Sequence, residues 1–133
     1  MGQSSIYSRD GRDIYLGIMT GTSLDAIDIA ACRFGEASDG DMPPRIELIA
    51  FHSAQWPPAL REVLMQLATS ERVDMNVLAR THFLLAHEYA RAAEEILDKS
   101  GVASDQIRAI GLHGQTVRHL PTPAASPRFR CSP

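Results

Sequence analysis

Ile14-Tyr15-Leu16-Gly17-Ile18-Met19-Thr20-Gly21-Thr22-Ser23-Leu24-Asp25-Ala26-Ile27-Asp28-Ile29-Ala30-Ala31-Cys32-Arg33-Phe34 is the stretch from which the fold is read. Ile14 to Met19 form a short apolar run rich in strand formers, which enters the cluster Thr20-Gly21-Thr22-Ser23 as a buried strand meeting a tight polar turn. Beyond the turn, Ile27, Ile29 and Ala31 alternate with Asp28, Ala30 and Cys32, the period-two pattern of a second strand over about 26–34. The two strands are expected to pair as a hairpin.

Outward from that hairpin, residues 36–44 hold two aspartates flanked by Gly or Ser and a Pro-Pro pair, a turn-forming stretch. A third strand is expected from Arg45 to Ser53, with Ile46, Leu48, Ala50 and His52 on one face. Trp56-Pro57-Pro58 stops it, and Pro58 suits the first position of a helix running to about Leu67. After a loop at 70–73, Asp74 caps a longer helix from Met75 to Ser100. Its stripe is Leu78, His82, Leu85, Tyr89, Ala93 and Ile96, and Gly101 supplies the stop. A fourth strand starts at Ile107 and ends in the polar turn His113-Gly114-Gln115-Thr116. The order is a three-strand meander, then helices, then a further strand: an α/β chain. Residues 1–12 read as a disordered leader, 13–120 as the folded unit, and 121–133, with four prolines, as an irregular tail.

A length of 133 residues allows one domain at most, set against about 150 per domain. Apolar content of 44% and charged content of 22% are those of a globular chain, not a disordered or disulfide-dense one. A net charge of -3 gives no electrostatic footprint for nucleic acid. No apolar run is long enough to span a membrane, and residues 1–13 carry no secretory h-region. Cys32 and Cys131, without a C-x-x-C spacing, suit thiols in a reducing cytoplasm.

Two stretches carry candidate chemistry. In the first, Gly17 to Asp28, a turn with two glycines, three hydroxyls and two carboxylates can present backbone N–H groups to phosphate oxygens, with a carboxylate beside them for hydrated Mg2+. The plainer reading is that Gly21 supplies a positive φ, the hydroxyls satisfy the turn and Asp25 begins the next strand. A Walker A loop is excluded because the single lysine, Lys99, lies far from the turn. A dinucleotide fingerprint is disfavoured because a strand follows, not a helix. The second stretch, Gly111 to His119, gathers two imidazoles, an amide and a guanidinium at a strand end. It can hydrogen-bond a polyhydroxylated ligand, with Arg118 available for an anion, or it is simply a satisfied loop. His82 and His87 do not share a helix face as metal ligands would, and no G-x-S-x-G elbow surrounds Ser23. Trp56 reads as a packing anchor.

Taken together, G-I-M-T-G-T-S-L-D-A-I-D followed after some eighty residues by A-I-G-L-H-G-Q-T-V-R-H resembles the anhydro-N-acetylmuramic acid kinase family, over essentially residues 13–121. The resemblance implies part of one lobe of a two-lobed actin-like ATPase, a ribonuclease H-like fold, in which the first hairpin grips ATP phosphates. It implies a cytoplasmic enzyme using ATP and Mg2+. The reaction opens a 1,6-anhydro amino sugar by water attack and phosphorylates its 6-oxygen, giving N-acetylmuramic acid 6-phosphate in cell-wall recycling. Gly21, Thr22, Ser23, Leu24, Asp25, Ala26, Ile27 and Asp28 become the nucleotide-binding loop, with Asp25 holding Mg2+ through water. His113, Gln115 and Thr116 become contacts on the sugar side. A homodimer is expected of a longer form, with no nucleic acid or membrane partner.

Ala26 stands where the family usually has glycine. The family continues into another strand and a second lobe bearing the general base and most adenosine contacts, so no catalytic residue is assigned within this chain. Residues 127–133 do not resemble that continuation, which suggests a truncated or frame-shifted product, inactive by itself. The alternative is a non-catalytic anion-binding or protein-interaction module.

Overall fold

The computed structural model describes residues 13–35 and 45–118. The expected leader, the 36–44 turn, His119 and the tail lie outside them. Three strands come first: β1 (Ile14–Thr20), β2 (Ile27–Phe34) and β3 (Ile46–Ala54). Helices α1 (Pro58–Thr69) and α2 (Met75–Ser100) follow, then a single 3-10 turn and β4 (Ile107–Leu112). The sheet order is β3-β2-β1-β4. β1 pairs antiparallel with β2, and β2 with β3, whereas β4 returns beside β1 in parallel. A parallel return needs a crossover, and α1 with α2 supplies it.

Alternation places Ile14, Leu16, Ile18 and Thr20 of β1 on the same face as Ile27, Ile29 and Ala31 of β2, all buried. Against that face lie Leu60 and Leu64 of α1 and Tyr89, Ala92, Ala93 and Ile96 of α2. Each large apolar side chain so buried contributes about 1.5–3 kcal/mol. The ends of the helices are cut as expected. Pro58 occupies the first turn of α1. Asp74 accepts the Asn76 N–H at 2.7 Å, and Gly101 stops α2 with φ 70°.

Two expectations need correction. Ile46, Leu48, Ala50 and His52 do not share one face, because the register slips between Ala31 and Cys32: Ala50 pairs with Ala31 but Leu48 with Cys32. That bulge turns Ile46 and Leu48 away from the helices, where they are exposed. On α2, His82 is exposed; Thr81 and Ala92 are buried on the packed face instead. Thr81 satisfies its hydroxyl on the Val77 carbonyl at 2.8 Å. The sheet face away from the helices carries exposed Met19, Ile46, Leu48 and Phe51. Among the described residues, no helix is long and apolar enough to cross a membrane.

Candidate functional site

Parallel neighbours release their chains at the same sheet edge, so the turn after β1 and the turn after β4 emerge side by side, the position at which open α/β sheets bind ligands. Three hydrogen bonds join them. The His113 N–H donates to the Ile18 carbonyl at 3.0 Å, extending the β1–β4 ladder by one rung. Thr20, buried at the end of β1, donates its hydroxyl to the Gly114 carbonyl at 2.9 Å. Gln115 donates its amide to the Gly21 carbonyl at 3.2 Å and to the Thr116 carbonyl at 3.1 Å. The two stretches singled out in the sequence are thus one continuous surface.

Within the first turn, Thr22, Ser23 and Asp25 are exposed and Leu24 is buried. The Leu24 N–H closes the turn on the Gly21 carbonyl at 3.3 Å. The positive φ expected at Gly21 falls on Leu24 instead, at 56°; among the described residues it is the one non-glycine in that region. A left-handed leucine costs about 1–2 kcal/mol, and such residues persist where the surroundings hold them. Here the Leu24 side chain is fixed in the core and its carbonyl accepts from Arg61 Nε at 2.9 Å. A Cβ at Gly21 would stand 3.3 Å from the hydroxyl of exposed Ser23, which can turn aside, so no close backbone contact demands glycine there. The backbone N–H groups of Thr22, Ser23 and Asp25 have no acceptor among the described residues.

The two carboxylates differ. Asp28 faces the open side of the sheet and accepts the Ser53 hydroxyl at 2.5 Å. Asp25 has no partner among the described residues and is exposed, which suits a hydrated divalent cation better than Asp28 does. Ala26 and Ile27 lead into β2, Ile27 with its side chain fully buried, so their contribution to the turn is their backbone.

In the second turn, Gly114 has φ 77°, which only glycine adopts at no cost. The His113 ring Nδ1 lies 3.0 Å from the Gly114 carbonyl, which can only accept, so Nδ1 is the donor of that bond and Nε2 is left without a partner among the described residues. Among the described residues, Gln115 Oε1 is buried without a partner and half-buried Thr116 has a free hydroxyl. Arg118 is turned away from this group and donates to the Ser70 carbonyl at 2.6 Å, at the end of α1. It is therefore engaged in tying the second turn to α1.

Thr20, Tyr89 and Arg61 were not assigned to the site from the sequence, and the left-handed conformation of Leu24 was not foreseen. Tyr89 reaches from α2 to within 3.4 Å of the Thr20 hydroxyl, and burial pushes its phenol pKa up, partly offset by that bond. It packs edge-on against Trp56 with ring centroids 6.2 Å apart, so Trp56 is the packing anchor expected. A polar residue at the last buried place of β1's alternation was the available signal for Thr20; nothing in the sequence marked Arg61.

The family model described as anhydro-N-acetylmuramic acid kinase matches residues 13–130. An anhydro-N-acetylmuramic acid kinase of Xanthomonas campestris pv. campestris (strain 8004) is 44% identical over 117 residues, covering 87% of this chain and 29% of that protein. Proteins of the same description from Chromobacterium violaceum and Vibrio parahaemolyticus are 39% and 37% identical, covering 82% and 83% of this chain and 28% of each relative. The chain thus spans less than a third of the length of the relatives it matches.

Proposed function

The chain belongs to the anhydro-N-acetylmuramic acid kinase family, and from that premise we propose that it forms the phosphate-gripping side of an ATP-dependent kinase in the actin-like, ribonuclease H-like fold. The substrate of the complete enzyme is 1,6-anhydro-N-acetylmuramic acid, opened by water and phosphorylated on its 6-oxygen. The observation that carries this reading is the clasp of the two turns at the parallel β1–β4 edge, with free N–H groups on one and an amide and imidazole on the other.

Phosphoryl transfer asks a protein mainly for positioning and charge stabilisation. The N–H groups of Thr22, Ser23 and Asp25, on the span Gly21 to Asp28, receive phosphate oxygens. Asp25 would hold Mg2+ through water, and the ion would supply charge neutralisation at the phosphates. His113, Gln115 and Thr116 face the sugar side, where Nε2 of His113 accepts from a hydroxyl. Residues 13–120 act as part of one lobe, and the family match runs on to residue 130, past the end at 121 expected from the motifs. The general base is not among these residues, so the 133-residue chain alone is expected to show neither ATP hydrolysis nor sugar phosphorylation. A longer form acts in the cytoplasm as a homodimer, without nucleic-acid or membrane partners.

The test is a chimera in which residues 13–118 replace the matching stretch of the Xanthomonas campestris relative. Mg·ATP-dependent phosphorylation of the anhydro sugar is the expected result, and Asp25→Asn should lower its turnover by at least about a hundredfold. A folded chimera without activity, or Asp25→Asn within threefold of its parent, would contradict the assignment.

A further inference from the structure

Leu24 is held in its left-handed conformation at three points: its side chain in the core, its N–H on Gly21, and its carbonyl on Arg61. The third point joins residues 37 positions apart, from the turn after β1 to the first turns of α1. Arg61 follows Leu60, which is buried against the sheet, and Leu64 one turn on is buried too. The arginine therefore rises from a well-anchored stretch of helix. No Asp or Glu pairs with its guanidinium among the described residues; its one described bond is to Leu24.

A trans peptide is planar, with its carbonyl and its N–H pointing in opposite directions. Fixing the Leu24 carbonyl toward α1 therefore aims the Asp25 N–H away from α1. That N–H is one of the turn's donors without an acceptor among the described residues. We propose that Arg61 is a positioning residue of the phosphate turn: by holding the Leu24 carbonyl it fixes the Leu24–Asp25 peptide and so the direction of the Asp25 donor and the start of its carboxylate. The inference rests on the reading of this turn as a phosphate cradle. Arginine suits the task because Nε is set rigidly in a planar fork, whereas a lysine ammonium ends a flexible stem and holds no fixed direction. The guanidinium also leaves a positive charge beside a turn that carries Asp25 and lacks any lysine.

The test uses the isotope-labelled 133-residue chain, titrated with Mg·ATP and followed by NMR, as parent, Arg61→Lys and Arg61→Gln. In the parent, the positive φ of Leu24 gives an unusually short distance between its amide and α protons, and Mg·ATP shifts the amides of Thr22, Ser23 and Asp25. Both variants should keep the dispersed signals of β1 to β3, lose the short Leu24 distance and bind Mg·ATP about tenfold more weakly, the scale of one lost charge-assisted hydrogen bond. Either variant keeping both the Leu24 signature and parental affinity would overturn the proposal. So would weaker binding in Arg61→Gln alone, which would show that charge and not direction matters. If the variants lose the Leu24 signature but Mg·ATP shifts none of the three proteins, Arg61 stands as the clip of the turn and the phosphate reading fails instead.

Discussion

Thr20→Val tests the clasp between the two turns with the least change of shape. Thr20 is 2% exposed, and valine replaces its hydroxyl by a methyl of similar size, so the core is neither hollowed nor overfilled. The hydroxyl donates to the Gly114 carbonyl at 2.9 Å and lies 3.4 Å from Tyr89 Oη. Losing the first bond removes about 1 kcal/mol, and leaving a part-buried carbonyl without its donor adds on the order of 1 kcal/mol more. The longer contact to Tyr89 adds little. A total of about 2 kcal/mol, with an unfolding entropy of about 2.1 cal/mol/K per residue, lowers Tm by about 7 °C. The assay is thermal and urea unfolding of the 133-residue chain, with Tyr89→Phe as the control expected to lose about 0.5 kcal/mol. Thr20→Val within 0.3 kcal/mol of the parent (about the error of the comparison) would refute the Thr20 part of the clasp, because the second turn would then be held by the ladder and the Gln115–Gly21 bond without it.

Gly114→Ala forces φ 77° on a residue with a Cβ and should cost about 1–2 kcal/mol, read in the same unfolding assay. Glu95 is held below the ordinary glutamate range first by the His52 hydrogen bond at 2.7 Å, then by Arg91 and Lys99. A lowered folded-state pKa gives stability that is present above the unfolded value of about 4.3 and lost as the pH falls through the folded value. Glu95→Gln should therefore flatten the acid limb of the stability profile below that pH, as urea unfolding at several acid pH values will show. The 133-residue chain mixed with ATP, Mg2+ and the anhydro sugar should release no phosphate or phosphosugar above background; turnover would mean that residues outside the chain are dispensable.

What was legible in the sequence follows from where one contact dominates each position. β1 was readable as a strand from its apolar run, Ile14 to Met19, and β2 from the alternation of Ile27 to Ala31; the alternate burial of β1 under the helices was not read. The limits of α2 were readable because Asp74 and Gly101 act through their own backbone neighbourhood. β3 was readable as a strand, but its facing was not: the slip opposite Ala31 and Cys32 depends on the partner strand, and the sequence alternation runs on unbroken through it. Both site stretches were visible by composition, yet their union depends on β4 returning parallel beside β1, a pairing across about ninety positions that no local pattern encodes. The left-handed residue was sought at Gly21 because glycine tolerates that conformation freely. It falls on Leu24 because tertiary contacts, from the core and from Arg61, outweigh the local preference.

The central claim, that the turns after β1 and β4 form one anion-binding site with the cation at Asp25, is tested most directly with Mn2+·ATP in place of Mg2+·ATP. Paramagnetic broadening on the labelled 133-residue chain is measured residue by residue. Broadening confined to residues 21–28 and 113–116, and abolished by Asp25→Asn, is the predicted result. Broadening centred elsewhere, on one turn only, or unchanged in Asp25→Asn would contradict it.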